Sequence, residues 1–203
     1  MRNNNTGKLA LMGLLTAILI LFSFTPIGTI PIGPLSITLN TIPIAIAAIA
    51  MGPAGGAAMG AVFGILSFLQ CIGIGVPSAM GAMLFGINPF LAFIQRFIPR
   101  LLDGFLVGLI FKGTKKAAGS VPAGFVTGFF TAFLNTLFFM SALILLFGNT
   151  EYGQELIGGR NVIVFVCAFV GINAVFEMIT TTILSGAIGA ALHKARLLPF
   201  DKN

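Results

Sequence analysis

Arg96 and Arg100, one helical turn apart, stand in the middle of an apolar stretch over residues 90–111, with Asp103 a further turn on. A charge near the centre of a membrane helix costs about 2.5–3.5 kcal/mol on insertion scales. Two guanidiniums and a carboxylate at that depth therefore need an opposite charge or a polar ligand. Few other polar groups interrupt the apolar segments. Gln95 precedes Arg96, Asn135 falls within residues 121–147, Asn173 and Glu177 within 162–192, and Asn40 in the outer part of 35–51. At about 1.5 Å of rise per residue, Arg100, Asp103 and Glu177 reach comparable depth. One base and two acids can neutralise one another, so they read as a structural charge cluster, with a proton or cation relay as the competing reading. Arg96 lies a turn nearer the outer face, where no acid shares its depth. Its partner is either Glu151 or Glu155 from the outer loop, or an anionic ligand. The fork of guanidinium donors suits a carboxylate or phosphate, and Gln95, Asn40, Asn135 and Asn173 can serve amide and hydroxyl groups. Such a set describes an outward-facing pocket for a small, polar, anionic molecule.

The elements that must position these groups follow from composition. Of 203 residues, 57% are hydrophobic and only 8% charged, with a mean hydropathy of +1.06. Soluble domains carry about 25% charged residues, so this is an integral membrane protein. The 26 glycines favour helices that approach closely, and the alternation expected of barrel strands is missing. The expected fold is therefore all-α: a six-transmembrane-helix bundle forming a single domain over residues 1–203. Its spans are 9–24, 35–51, 55–69, 89–111, 121–147 and 162–192. The first is read as a retained helix and not a signal peptide, because residues 25–28 (Thr-Pro-Ile-Gly) make a poor cleavage site. Residues 26–34 are rich in proline and glycine and should break the helix and pack back. Gly52-Pro53 should turn the chain between the second and third spans, and residues 71–85 should form a glycine-rich connection.

Six spans put both termini on one side. Arg2, Lys8, Lys112, Lys115, Lys116, Lys194, Arg196 and Lys202 all fall on that side, while the opposite side has Arg160 with Glu151 and Glu155. By the positive-inside rule the termini are cytoplasmic. The basic balance thus reflects topology and calls for no nucleic acid. Gly52, Gly56, Gly60 and Gly64 give the third span a bare face for internal packing. Gly13 and Ala17 form a shorter small-residue pair on the first helix, where contact with another subunit competes with internal packing.

Catalysis finds little support. His193 is the only histidine, at a helix end among bases, and Gly113-Thr114-Lys115 lacks the order of a nucleotide-binding loop. Cys71 and Cys167 are isolated, which gives neither a disulfide framework nor a metal site. No catalytic residue, no metal and no cofactor is expected in this chain, so any use of ATP belongs to partner subunits.

Three segments resemble the substrate-binding (S) components of energy-coupling factor (ECF) vitamin transporters, and look most like the pantothenate type: TPIGTIPIGPLSITL (25–39), GPAGGAAMGAVFGILS (52–67) and IPRLLDGFLVG (98–108). The resemblance covers nearly the whole chain. It implies capture of a vitamin at the outer face of a bacterial plasma membrane. It also implies docking on a transmembrane coupling subunit (EcfT) that carries two ATPase subunits (EcfA and its paralogue), and release inside. Docking in that family uses a small-xxx-small motif on the first helix, which Gly13 and Ala17 match with glycine in place of the first alanine. Pantothenate has a carboxylate for Arg96, with an amide and hydroxyls for the asparagines. Biotin, also a carboxylate, is the nearest competing vitamin. An autonomous ion-coupled transporter using Asp103 or Glu177 is the rival mechanism, although the inverted repeat it would want is not found.

Overall fold

The computed structural model describes residues 4–32, 35–159 and 161–195. Its first helix, α1 (Asn4–Phe24), runs to Thr25, whose hydroxyl donates back to Leu21 O at 2.7 Å. A hairpin follows. β1 (Thr29–Ile32) and β2 (Leu35–Thr38) pair antiparallel, with Thr29 opposite Thr38 and Ile32 opposite Leu35. The second span therefore does not start at Leu35 as expected, because those residues form a strand. The reason is local: isoleucine and threonine favour extended backbone, and the prolines of this stretch are excluded from helix interiors.

α2 (Thr41–Leu69) begins after Asn40 and leaves helical geometry at Gly52 (φ 74°, ψ −161°). The bend is tight. A methyl group built at Gly55 would lie 3.0 Å from Ala47 O, yet eight residues of straight helix span about 12 Å. α2 is thus two arms, parted where Gly52-Pro53 was expected to turn the chain. Glycine supplies the positive φ, and proline suits the first turn of the second arm.

The connection expected over 71–85 is largely ordered. A 3₁₀ turn, Gln70–Ile72, leads to α3 (Ala79–Ile87), capped by Ser78, which accepts from Gly81 N at 3.1 Å. Asn88 caps α4 (Pro89–Ala118), accepting from Phe90 N and Leu91 N at 3.0 and 3.1 Å. Pro89 occupies the first turn, and Lys115 and Lys116 in the last turn complement the helix dipole. α5 (Ser120–Phe147), the short α6 (Glu151–Ile157) and α7 (Val162–Lys194) complete the chain.

The architecture is nearly all helical, the hairpin being the exception to the expected all-α class. Among the described residues four helices are long and apolar enough to cross a membrane: Thr6–Phe24, Thr41–Ile72, Ser120–Phe147 and Asn173–Lys194. α4 matches them in length at 30 residues, but carries Arg96, Arg100 and Asp103 in its middle. Arg2, Arg160, Arg196 and Lys202, which enter the comparison of charge between the two faces, lie outside the described residues, as do Gly33 and Pro34. The side chain of Cys167 is also outside them.

α2 and α4 make the closest approach. A side chain at Gly60 would strike the carbonyl of Arg100, and one at Gly56 the carbonyl of Gly104. The glycine stripe is therefore an internal packing face that lays α2 directly on the backbone of the charged helix. One core cluster joins Leu15 and Leu19 of α1 to Ile44, Met59 and Phe63 of α2 and Val107 of α4. Gly60→Val should force the two backbones apart and cost about 1–3 kcal/mol or more, as overpacked cores do. Thermal unfolding in detergent checks this, and an unchanged melt would show that the seam yields without cost.

Candidate functional site

A cavity of about 100 Å³ lies among α2, α4, α5, α7 and the hairpin. α4 presents Arg96 and Arg100 to it from successive turns, only 6% and 5% exposed. Like charges at this spacing repel, and the local contacts hold them without neutralising them. Arg100 Nη1 donates to Arg96 O at 2.9 Å, and Arg96 Nη2 donates to Ser78 Oγ at 3.1 Å. Both guanidiniums stand over the Phe139 ring, each 5.1 Å from its centroid, and Arg100 also covers Phe63 at 4.7 Å. These cation–π contacts contribute about 0.5–2 kcal/mol each but carry no countercharge. Among the described residues neither arginine has an ion-pair partner, and the Nε of each is buried without a hydrogen bond.

The remaining wall is polar. Asn40 and Asn135 are buried there, each with an Oδ1 that has no partner among the described residues, and Asn173 joins them from α7. Asn40 is not inside a span, as expected from sequence, but at the N-terminal boundary of α2, because the strand displaces the helix start. Glu177 also lines the cavity, and its Oε1 accepts from Thr38 N at 2.7 Å, tying the hairpin to α7. Beneath it the hydroxyls of Thr41 and Thr181 meet at 2.8 Å. Buried polar groups in folded proteins are nearly always paired, so four orphan atoms around one cavity mark a place for polar ligand atoms.

Two sequence assignments look different at this range. Gln95 is fully buried but is not part of the wall, and both ends of its amide are without partners among the described residues. One residue of helix turns the side chain by about 100°, which carries Gln95 away from the face of Arg96. The set Arg100, Asp103 and Glu177 also divides. Arg100 and Glu177 reach the cavity, while Asp103 is buried away from it with neither carboxylate oxygen hydrogen-bonded, and among the described residues no ion pair joins the three. Gly13 and Ala17 sit on the exposed side of α1, and a methyl group at Gly13 would meet nothing within 4 Å.

Sequence reasoning missed Ser78, Thr29, Thr38 and the two rings beneath the arginines. Ser78 alone had a signal, a serine directly before the apolar run of α3, which is the pattern of an N-cap. Among the described residues no group of three or more His, Cys, Asp and Glu could hold a metal. Cys71 is buried, its thiol facing Ser67 O at 3.5 Å.

Residues 7–188 match the family model described as "ECF transporter, substrate-specific component". The chain is similar to the pantothenate transporter PanT of Leuconostoc mesenteroides, with 31% identity over 201 residues and 95% of each chain covered. It is also similar to the pantothenic acid transporter PanT of Lactococcus lactis, with 29% identity covering 97% of this chain and 98% of that one. Among solved structures it resembles ThiT of Listeria monocytogenes, with a TM-score of 0.66 over 97% of this chain and all of that one. At 18% identity that likeness speaks for the fold alone.

Proposed function

This chain belongs to the substrate-specific components of ECF transporters, and from that premise we propose that it captures pantothenate at the outer face of a bacterial plasma membrane. It is a transport component and not an enzyme. The observation that carries the substrate reading is the unneutralised pair of guanidiniums at one cavity. A carboxylate received by Arg96 relieves the repulsion between Arg96 and Arg100 and gives Arg96 a charge-assisted partner. Asn40, Asn135 and Asn173 then meet the amide and hydroxyls, while Gln95 faces away from the cavity. The pantothenate named for both relatives supports the same ligand.

In this reading the two arms of α2 count as two crossings and α4 as another, which makes six, with both termini cytoplasmic. Lys112, Lys115 and Lys116 close α4, and Lys194 closes α7. The antiparallel course α4–α5–α7 brings these bases to one end, the cytoplasmic one by charge bias. The chain docks through the Gly13 and Ala17 face of α1 on the transmembrane coupling subunit, whose two ATPase subunits drive release inside. It needs no cofactor of its own.

Two measurements test this. Mass spectrometry of the purified chain should find pantothenate bound, and calorimetry should show the emptied protein rebinding it in preference to biotin. In proteoliposomes, uptake should require the coupling subunit, the ATPases and ATP. Uptake by this chain alone down an ion gradient would replace the ATP-driven reading with a secondary transporter.

A further inference from the structure

The Arg96 guanidinium rests against the first turn of α3. Ser78, half-buried at the rim of the cavity, meets it with one oxygen that has two tasks. Ser78 Oγ accepts from Gly81 N at 3.1 Å, which caps α3, and from Arg96 Nη2 at 3.1 Å. A hydroxyl has two lone pairs, so the cap and the guanidinium together use both. The serine is itself held from behind. Its backbone N donates to Gln70 O at 3.2 Å, and Gln70 Nε2 donates to Ser23 O at the end of α1 at 3.0 Å. Gly81 supplies the space. A methyl group there would lie 2.7 Å from Cys71 Sγ and 2.9 Å from Arg96 Nη2. The Phe139 face sets the tilt of the guanidinium but lets a flat group turn in its own plane, and the bond to Ser78 Oγ stops that turn.

Building on the reading of Arg96 as the partner of the ligand carboxylate, we infer that the first turn of α3 is the seat of that guanidinium: Ser78 and Gly81 are positioning residues, the one fixing its orientation and the other leaving it room. A binding group works only when its supports hold it within about 0.5 Å and 10–20° of the productive geometry. Serine suits the seat because it orients the guanidinium and brings no charge, so the donors it does not use stay available to an anion. The short helix between the long spans is therefore part of the binding site through a residue 18 positions from the arginine it serves.

Two variants of the full chain test this, each read by calorimetry with pantothenate and by thermal unfolding of the empty protein. Ser78→Asp keeps the cap, since aspartate is as good an N-cap as serine, but offers Arg96 a carboxylate of its own. Pantothenate should bind at least about 30-fold more weakly, while the empty protein melts no lower than wild type. A serine that only caps the helix predicts wild-type affinity for Ser78→Asp, and that result overturns the inference. Gly81→Ala favours the helix and crowds only the ends of flexible side chains, so the fold should yield easily while the guanidinium is displaced. Its affinity should fall at least about 10-fold with no lower melting temperature. Wild-type affinity in a normally folded Gly81→Ala protein also overturns the inference, and this variant decides if Ser78→Asp does not fold. Weaker binding together with a lower melting temperature in both variants makes the turn a support of the fold alone, and overturns it too. Failure of pantothenate to bind the wild-type chain is a different result, which removes the substrate reading and this inference with it.

Discussion

Arg96→Ala should abolish pantothenate binding and leave the helix bundle folded. Removing one partner of a buried charge pair costs about 2–5 kcal/mol, which is about 30-fold to several thousand-fold in Kd. The fold should tolerate the change because Arg96 does little to hold it. Its side chain donates to Ser78 Oγ and rests on Phe139, and its Nε is buried without a partner among the described residues. Truncation also removes one of two like charges from successive turns, so the melting temperature of the empty protein should not fall. Arg96→Lys should land between wild type and alanine, since it keeps the charge and loses the planar fork. Calorimetry on the purified chain decides. Wild-type affinity in a normally folded Arg96→Ala protein would take the carboxylate away from this residue.

Gly13→Leu and Ala17→Leu should have the opposite profile, with binding intact and transport lost. Leu15 and Leu19 point the other way on α1 and are 3% and 0% exposed, whereas Gly13 and Ala17 are open. A leucine at either site has room in the isolated chain. Affinity for pantothenate should stay within about twofold, as for other surface changes of up to about 0.5 kcal/mol. Against a coupling subunit the same leucine removes the close backbone approach that small residues permit. ATP-driven uptake in proteoliposomes should then drop at least about tenfold, the loss typical of a truncated or blocked interface anchor. Loss of binding in the isolated variants would mean that this face serves the fold itself.

Much of the cavity could be read from residue types, because a charge or amide inside an apolar helix has few innocent explanations. Arg96, Arg100, Asn135, Asn173 and Glu177 stand out for that reason, and the structure places all five around one cavity. Direction was harder. Gln95 and Arg96 are neighbours in sequence, but a helix points neighbours to different faces, so one is on the wall and the other behind it. The division of charges was harder still. Arg100, Asp103 and Glu177 share a depth, and depth alone suggests mutual neutralisation. The angular placement that sends Arg100 and Glu177 to the cavity and leaves Asp103 aside depends on how the helices pack. Phe63 and Phe139 could not be singled out from 21 phenylalanines. The Thr38 donor was out of reach because it is a backbone N–H, and every residue but proline has one. The hairpin itself was half legible: proline and glycine announced the break, but pairing of Thr29 with Thr38 is a contact between two segments and not a property of either.

The seam between α2 and α4 also has a mechanical meaning. Where Gly60 lies on the Arg100 carbonyl and Gly56 on the Gly104 carbonyl, no flexible side chain stands between the two backbones to absorb a displacement. Close-packed interiors transmit strain and do not dissipate it. The second arm of α2 and α4 therefore act as a single stiff beam, with the arginines part of the way along it and the lysines Lys112, Lys115 and Lys116 at one tip. A push delivered to that tip would reach the guanidiniums as a rigid tilt of the cavity wall they form, so a group held against them would move with the beam and not along it.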